Sequence, residues 1–267
     1  MTLAKRDSPI TLLKGDDPPP VCVTRADGTS PFVFTCEHAG NRIPHHLNGL
    51  RLNVADLGRH IAWDIGAAAV ARGLAERFDA ALVTQTYSRL VIDCNRSPRE
   101  TTSIATVSDG SAIPGNVDIG PHERAARESE IFHPYHDCIA SLLDARQEAG
   151  RPALLVPIHS FTPVFGGFSR PWQIGFAYNR YRLFTAILIE ILVRGGDLCI
   201  GDNEPYSVSA TTDYTLPVHG EKRAIPHAQI ELRQDLIAAE AGQSVWIEQL
   251  GDALSEGLSA LADKKGI

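Results

Sequence analysis

The sequence predicts an α/β protein built on a three-layer plan, a mostly parallel mixed sheet with helices on both faces. Short apolar runs of strand length alternate with longer stretches whose apolar residues recur at helical spacing. That order builds parallel sheets through crossover helices. One run, Ala153-Leu154-Leu155-Val156-Pro157-Ile158, is apolar throughout, as expected of a strand covered on both faces. Several runs also end in polar residues, and ligands of open α/β sheets bind outside the carboxyl ends of the strands.

Taken in order, residues 1–27 are polar, contain Pro18-Pro19-Pro20, and are expected to form an extended arm over the body. Pro31-Phe32-Val33-Phe34 reads as a buried strand running into Glu37-His38, where Ala39 and Gly40 keep the turn narrow. Residues 42–57 are loop-rich, with Ile43-Pro44 setting their direction. Trp63, Ala67, Val70, Leu74 and Phe78 predict an amphipathic helix. Ala81-Leu82-Val83 and Leu90-Val91-Ile92 predict strands, the second ending in Asp93-Cys94-Asn95-Arg96. Residues 97–120, rich in Ser, Thr, Gly and Pro, are expected to be a lid or a loosely ordered loop.

Residues 123–147 carry Ile131, Tyr135, Cys138, Leu142 and Ala145 on one helical face, and Pro134 should kink that helix or mark a boundary in it. Pro157 argues against full pairing of the apolar strand unless it sits at the strand's end. Residues 161–171 form a loop around Gly166-Gly167, and 173–177 a strand. Phe184, Ile187, Leu188, Ile191 and Leu192 mark an apolar helix that stops at Gly195-Gly196. A strand at Leu198-Cys199-Ile200-Gly201 leads into a polar turn over 202–206, which puts Asn203-Glu204 with His38, Asn95-Arg96, His159 and Glu231 among the candidates at the carboxyl ends of the strands. Gln229-Ile230-Glu231-Leu232-Arg233 is the last strand, and Ile247, Leu250, Leu254, Leu258 and Leu261 set a closing helix. With no internal repeat and no linker, residues 1–267 read as one domain.

Composition narrows the function. A formal net charge of -7 without any Lys/Arg run points away from nucleic acid. The five scattered cysteines form no Cys-x-x-Cys pair and are expected to be reduced, mostly buried thiols. The first fourteen residues do not have the form of a signal peptide. The most apolar stretch, 183–193, is interrupted by Glu190 and too short for a bilayer. A soluble cytoplasmic protein acting on a small molecule is the expectation.

A hydrolytic zinc site needs three nitrogen or oxygen ligands, an open position, and a carboxylate to take a proton from water. His38 and His159 follow strands and suit the first two positions; Asp64 suits the third, with Glu37 in reserve. Glu231 alternates with Ile230 and Leu232, which fits a general base and equally a solvent-facing carboxylate or one paired with Arg233. Arg96 is either a surface charge or a planar fork for a substrate carboxylate. Arg89 adds a second cation, provided the chain bends after Asp93, because an unbroken strand would point the two to opposite sides. His136 reads as a core or surface histidine, and His219 as a residue that could line the pocket.

These residues fall in recognisable motifs. Glu37-His38-Ala39-Gly40-Asn41-Arg42-Ile43-Pro44 resembles the opening motif of the N-formylglutamate amidohydrolase family. Tyr87-Ser88-Arg89-Leu90-Val91-Ile92-Asp93-Cys94-Asn95-Arg96 is similar to its second motif, and Ile158-His159-Ser160-Phe161 to its third. Asn203-Glu204-Pro205-Tyr206-Ser207 and Ile230-Glu231-Leu232-Arg233 match in type and order. That family resembles the zinc carboxypeptidases and aspartoacylases, so the resemblance implies a phosphorylase/hydrolase-like core. It further implies zinc held by His38 and His159, a carboxylate site at Asn95 and Arg96, and Glu231 as base. Carboxypeptidases use His-x-x-Glu, whereas Asn41 stands three residues after His38; the third ligand is therefore open among Asp64, Glu37 and Asn41. The implied reaction is hydrolysis of an N-formyl or similar N-acyl amide of an acidic amino acid. The rivals are a related hydrolase of another acylated amino acid or peptide, and a carboxylate-binding protein without turnover.

Overall fold

The computed structural model describes residues 11–265. Strands β1 (Val21–Thr24), β2 (Phe32–Cys36), β3 (Ala81–Gln85), β6 (Leu154–Phe161), β9 (Ile174–Ala177), β10 (Ile200–Asp202) and β11 (Gln229–Arg233) form one sheet. The short pairs β4 (Val107–Ser108) with β5 (Ser111–Ala112), and β7 (Val164–Phe165) with β8 (Phe168–Ser169), are hairpins outside it. The sheet order is β1-β3-β2-β6-β11-β9-β10. Strands β3, β2, β6 and β11 run parallel; β1 opposes β3, and β9 opposes β11 with β10 alongside it. The sheet is mixed and mostly parallel, as expected. Its helices are α1 (Val54–Leu57), α2 (Ala67–Phe78), α3 (Pro121–Arg127), α4 (His133–Glu148), α5 (Leu183–Arg194) and α6 (Glu240–Lys265). No described helix is long and apolar enough to cross a membrane.

The two-residue period of the strands sorts their side chains onto two faces. Phe32, Phe34, Val156, Ile158, Ile230 and Leu232 pack with α2, α5 and α6 in one apolar core. Val33, Val83 and Leu155 face the other way, against Ile131, Phe132, Tyr135, Ile139 and Leu143. Thr35, Gln85, His159, Gln229 and Glu231 share the parity of this second set, so buried polar groups collect on the second face toward the carboxyl ends of the parallel strands.

Several expectations change. The stretch 90–92 is a loop rather than a strand, because its backbone groups and those around it bond to separate segments: Ser88 N–H to Arg42 O, Arg89 N–H to Ala62 O, and Asp93 N–H to Ser103 O. The bend that brings Arg89 and Arg96 to one side follows from this. Helix α2 begins at Ala67, after Gly66 at φ 81°, so Trp63 and Asp64 lie in the preceding turn. Residues 121–148 are helical throughout, but a π-helical turn over Glu128–Phe132 separates α3 from α4, with Pro134 in the first turn of α4.

Residues 97–120 pack onto the body, with Ser103, Ile104, Ile113 and Asn116 buried; the fully buried Arg127 donates to Asn116 Oδ1 at 2.7 Å and Val91 O at 2.9 Å. The arm contributes β1 to the sheet edge and the buried Leu12, while its first ten residues lie outside the described part of the chain. Pro157 sits mid-strand in β6. The Leu155 N–H points to Pro226 O, so the N–H missing at Pro157 would point the same way, where the β11 ladder begins only at Ile158. Cys36 and Cys94 are buried, but Cys22 and Cys199 are exposed, which departs from the expectation of mostly buried thiols.

His136 and His219 form a stacked pair, with ring centroids 5.2 Å apart and planes at 15°. His136 Nε2 lies 2.7 Å from Cys94 O, which can only accept, so Nε2 carries the proton and Nδ1 accepts from His219 Nε2–H at 3.0 Å. Burial, then the neighbouring imidazole, pushes His136 down to about 3; burial, then Arg223, pushes His219 down to about 4. An unfolded histidine titrates near ~6.5, so the unfolded chain takes up protons first and stability falls as pH drops from ~6.5 toward ~4. Urea denaturation at pH 7.5 and 5.0 should therefore show a smaller acid-induced loss in His136→Gln/His219→Gln, by about 2 kcal/mol per histidine replaced. Equal losses in the variant and the native chain would refute this.

Candidate active site

The site begins where β2 runs into Glu37-His38. The turn after it is tight: a Cβ on Gly40 would lie 2.0 Å from Thr86 O, so only glycine fits against that strand end. The Asp64 N–H donates to His38 O at 3.0 Å, fixing the turn before α2 against the end of β2. His159 on β6 stands beside its register partner Glu231 on β11. These elements bring three buried groups to one point. Asp64 Oδ2 lies 3.2 Å from His38 Nδ1 and 2.8 Å from His159 Nδ1, and accepts from Ser160 N–H at 3.2 Å. The two imidazoles meet edge to face, 5.0 Å between centroids. One atom from each of His38, Asp64 and His159 lies within 4.8 Å of the others, so the group could hold a metal ion.

Each imidazole has a carboxylate behind it. His38 Nε2 lies 2.7 Å from Asp93 Oδ1. His159 Nε2 lies 3.0 Å from Glu37 Oε2, an ion-pair contact without hydrogen-bond alignment. Thr35 Oγ1–H donates to Glu37 Oε1 at 2.8 Å, and Arg89 donates to Asp93 while lying 3.6 Å from Asp64. Burial and Arg89 would lower the His38 pKa, but Asp93 and Asp64 outweigh them and raise it. Burial likewise works against protonation of His159, and its contacts with Asp64 and Glu37 raise it well above the ordinary value. For Glu37, burial raises and His159 lowers, leaving about 2.

Glu231 differs from these carboxylates. It is only 3% exposed and accepts from Gln229 Nε2–H at 2.8 Å, and no cation lies within ion-pair distance among the described residues. Burial raises its pKa, with His159 opposing. The solvent-facing alternative fails, and Arg233 pairs with Asp235 instead.

His38, Asp64, Arg89, Asp93, His159 and Glu231 line a cavity of about 640 Å³, together with Asn95, Arg96, Tyr206 and Asp213. Thr102, Ala105, Val107, Ser108 and Asp109 of the 97–120 segment form part of its wall. Arg96 is ion-paired with Asp213 at 3.0 Å, and Asn95 Oδ1 accepts from Thr215 N–H at 3.3 Å. Asn41, one of the three residues considered for the third position, lies outside the group and donates to Leu57 O at 2.8 Å.

Comparison with known proteins places this geometry. Residues 30–238 match the model of the family described as N-formylglutamate amidohydrolase. The chain belongs to the N-formylglutamate amidohydrolase family. Among solved structures, a gene product of Agrobacterium tumefaciens is 36% identical with a TM-score of 0.90, over 94% of this chain and 99% of that one. An N-formylglutamate amidohydrolase from Ralstonia eutropha JMP134 is 16% identical with a TM-score of 0.59, over 93% of this chain and 99% of that one, a likeness of fold. Comparison with curated proteins finds no match.

In this member of the N-formylglutamate amidohydrolase family, β10 ends at the rim opposite the site, because β9 and β10 run against the parallel strands. The expectation that Asn203-Glu204 would share a rim with His38 is corrected by that reversal: Asn203 Oδ1 caps Tyr178 N–H at 2.8 Å instead. The chain then folds back over the sheet and brings Pro205 and Tyr206 to the cavity. Two glycines allow it, since a Cβ on Gly175 or Gly201 would lie 2.0 or 2.1 Å from Glu204 O. Sequence reasoning missed Asp93, Tyr206 and Gln229 as site residues, although the first two stand inside the quoted motifs. Gly175→Ala should push the 203–206 loop off the sheet and cost about 2 kcal/mol in denaturant unfolding; a loss under about 0.5 kcal/mol would mean that the loop yields freely.

Proposed function

We propose that this chain is a zinc-dependent amidohydrolase that removes a formyl group from the amino nitrogen of an acidic amino acid. Family membership supports the reaction class. The observation that carries the reading is the convergence of His38 Nδ1, His159 Nδ1 and Asp64 Oδ2 beside the buried carboxylate of Glu231. Two nitrogens and one oxygen suit a hydrolytic zinc centre, and carboxylates behind the imidazoles are the outer partners such ligands use. His38, Asp64 and His159 would hold the ion. Glu37 stands behind His159 and Asn41 is turned to Leu57 O, which favours Asp64 as the third ligand. Zinc, when bound there, supplies a Lewis acid and lowers the pKa of an adjacent water toward ~7.

The remaining chemistry belongs to the chain. Arg96, with Asn95, holds the α-carboxylate of the substrate, exchanging its protein partner Asp213 for it. Holding that end makes the attack effectively unimolecular. Arg89 donates to Asp93, so its part is to fix the carboxylate behind His38 and to add positive potential to the cavity wall. Glu231 takes a proton from the attacking water and delivers it to the departing nitrogen. The hydroxyl ends on the formyl carbon, the C–N bond breaks, and formate and the free amino acid leave. Burial makes it less costly for Glu231 to carry that proton between the two steps.

Equilibrium dialysis against zinc chloride should give about one zinc per chain, and far less in His38→Ala and Asp64→Ala. Undiminished binding in both variants would remove these residues from the centre. With N-formyl-L-glutamate as substrate and formate release as the readout, Glu231→Gln should lower kcat by roughly 10³-fold while still binding zinc. Turnover within tenfold of the native chain would eliminate Glu231 as the base.

A further inference from the structure

The charges around the cavity are unevenly matched. Arg89 is held by Asp93, and Arg96 by Asp213. Arg170 has no such partner: it is 7% exposed, and no carboxylate lies within ion-pair distance of it among the described residues. Its guanidinium instead lies over three aromatic rings, 4.8 Å from the centroid of Phe165, 4.9 Å from Tyr206 and 5.7 Å from Phe161. The Arg170 backbone N–H donates to Pro163 O at 2.8 Å and closes the β7–β8 hairpin. Nη1 donates to Tyr206 Oη at 3.0 Å and, longer, to Thr162 O at 3.4 Å.

The bond to Tyr206 fixes what that phenol can do. A guanidinium only donates, so it occupies a lone pair of Oη and leaves the O–H free to donate elsewhere. Tyr206 lines the cavity together with Arg96 and Glu231. A buried cation behind the oxygen also strengthens the O–H as a donor, and stacking on Phe161 and Phe165 holds the guanidinium plane in place. Tyr206 is 40% exposed overall, yet loss of solvent around its hydroxyl and the nearby Glu231 raise its pKa, with Arg170 opposing. An uncompensated positive charge behind a free O–H is a receptor for an anionic oxygen.

We propose that Tyr206, positioned by Arg170, is the residue that receives the side-chain carboxylate of the acidic substrate and so sets its preference over a neutral isostere. The proposal rests on the amidohydrolase reading for its substrate, with Arg96 taking the α-carboxylate and Tyr206 the other. Tyr206 touches the substrate. Arg170 acts through it as a positioning residue. A cavity of about 640 Å³ has room for both carboxylates, since sites of this size enclose drug-sized ligands.

The test compares N-formyl-L-glutamate with its neutral isostere N-formyl-L-glutamine. The native chain should prefer the glutamate compound. In Tyr206→Phe and Arg170→Gln the ratio of kcat/KM values should fall about tenfold, chiefly through a higher KM for the glutamate compound. Arg170→Lys should restore part of the ratio by restoring the charge. A binding measurement runs independently of turnover: calorimetric titration should show glutarate binding more tightly than butyrate, with the difference lost in Tyr206→Phe. An unchanged ratio, or an unchanged glutarate advantage in Tyr206→Phe, overturns the proposal. If the native chain hydrolyses neither formyl compound, the amidohydrolase reading falls and the glutarate titration alone decides this one. Should Arg170→Gln fail to fold, Tyr206→Phe carries the test, since removing one hydroxyl leaves the ring packing in place.

Discussion

The site depends on a single buried oxygen. Asp64 Oδ2 receives the Nδ1 side of both His38 and His159 and the backbone N–H of Ser160, so one atom ties the end of β2 to the carboxyl-terminal part of β6. A carboxylate with 3% exposure is stable only when its lone pairs are taken up, and here they are taken up by groups from distant parts of the chain. The turn carrying Asp64 is in turn held by its own N–H on His38 O. Position and charge are thereby solved together: the contacts that lower the Asp64 pKa against the pull of burial are the same contacts that aim both imidazoles at it.

Around that oxygen the protein arranges opposite charges in alternation. Arg89 holds Asp93, Asp93 holds His38, His38 meets Asp64, Asp64 meets His159, and His159 meets Glu37. Removing one member would leave a neighbour buried and uncompensated, and such a loss costs far more than the net gain from an intact pair. The network is therefore a rigid unit. Glu231 and Arg170 stand outside it, buried and without ionic partners among the described residues, Glu231 in the cavity wall and Arg170 behind Tyr206, which lines it. Natural proteins rarely leave such groups unmatched unless a ligand matches them.

The fold was legible where periodicity carries it. The apolar runs at Phe32 and Leu154 and the alternation at Gln229 gave strands, and the helical spacing at Phe184 and Leu250 gave helices, because burial on one or two faces leaves its mark in the sequence. The stretch at Leu90 misled for a definable reason. Its side chains are as buried as any strand's, yet its backbone bonds are distributed among separate loops, and hydrophobicity does not encode where a backbone bonds. Reversal of β9 and β10 was equally hidden, since the β7–β8 hairpin that turns the chain around reads only as a loop with two glycines. In the site, His38 and His159 could be selected by residue type and association with strands, whereas Asp64 was one of three residues open for the third position, and it is the fold that brings it to the two imidazoles. Asp93 could not, because its role is to sit behind an imidazole rather than at the centre, and nothing in a carboxylate's identity announces that.

Glu231 shows how far identity alone can be trusted. In the sequence it is one polar residue between two apolar ones, the pattern of any half-exposed strand. What separates it from Arg233, two positions on with the same parity, is the cover over the sheet at that point: the 203–206 loop folded onto Gly175 and Gly201 closes over the one, and the other remains near solvent in a pair with Asp235. A carboxylate becomes a candidate base here because a backbone segment elsewhere lies flat against two glycines. The decisive information for Glu231 is thus carried by residues that contribute no chemistry, at the places where a side chain would have kept the chain from closing.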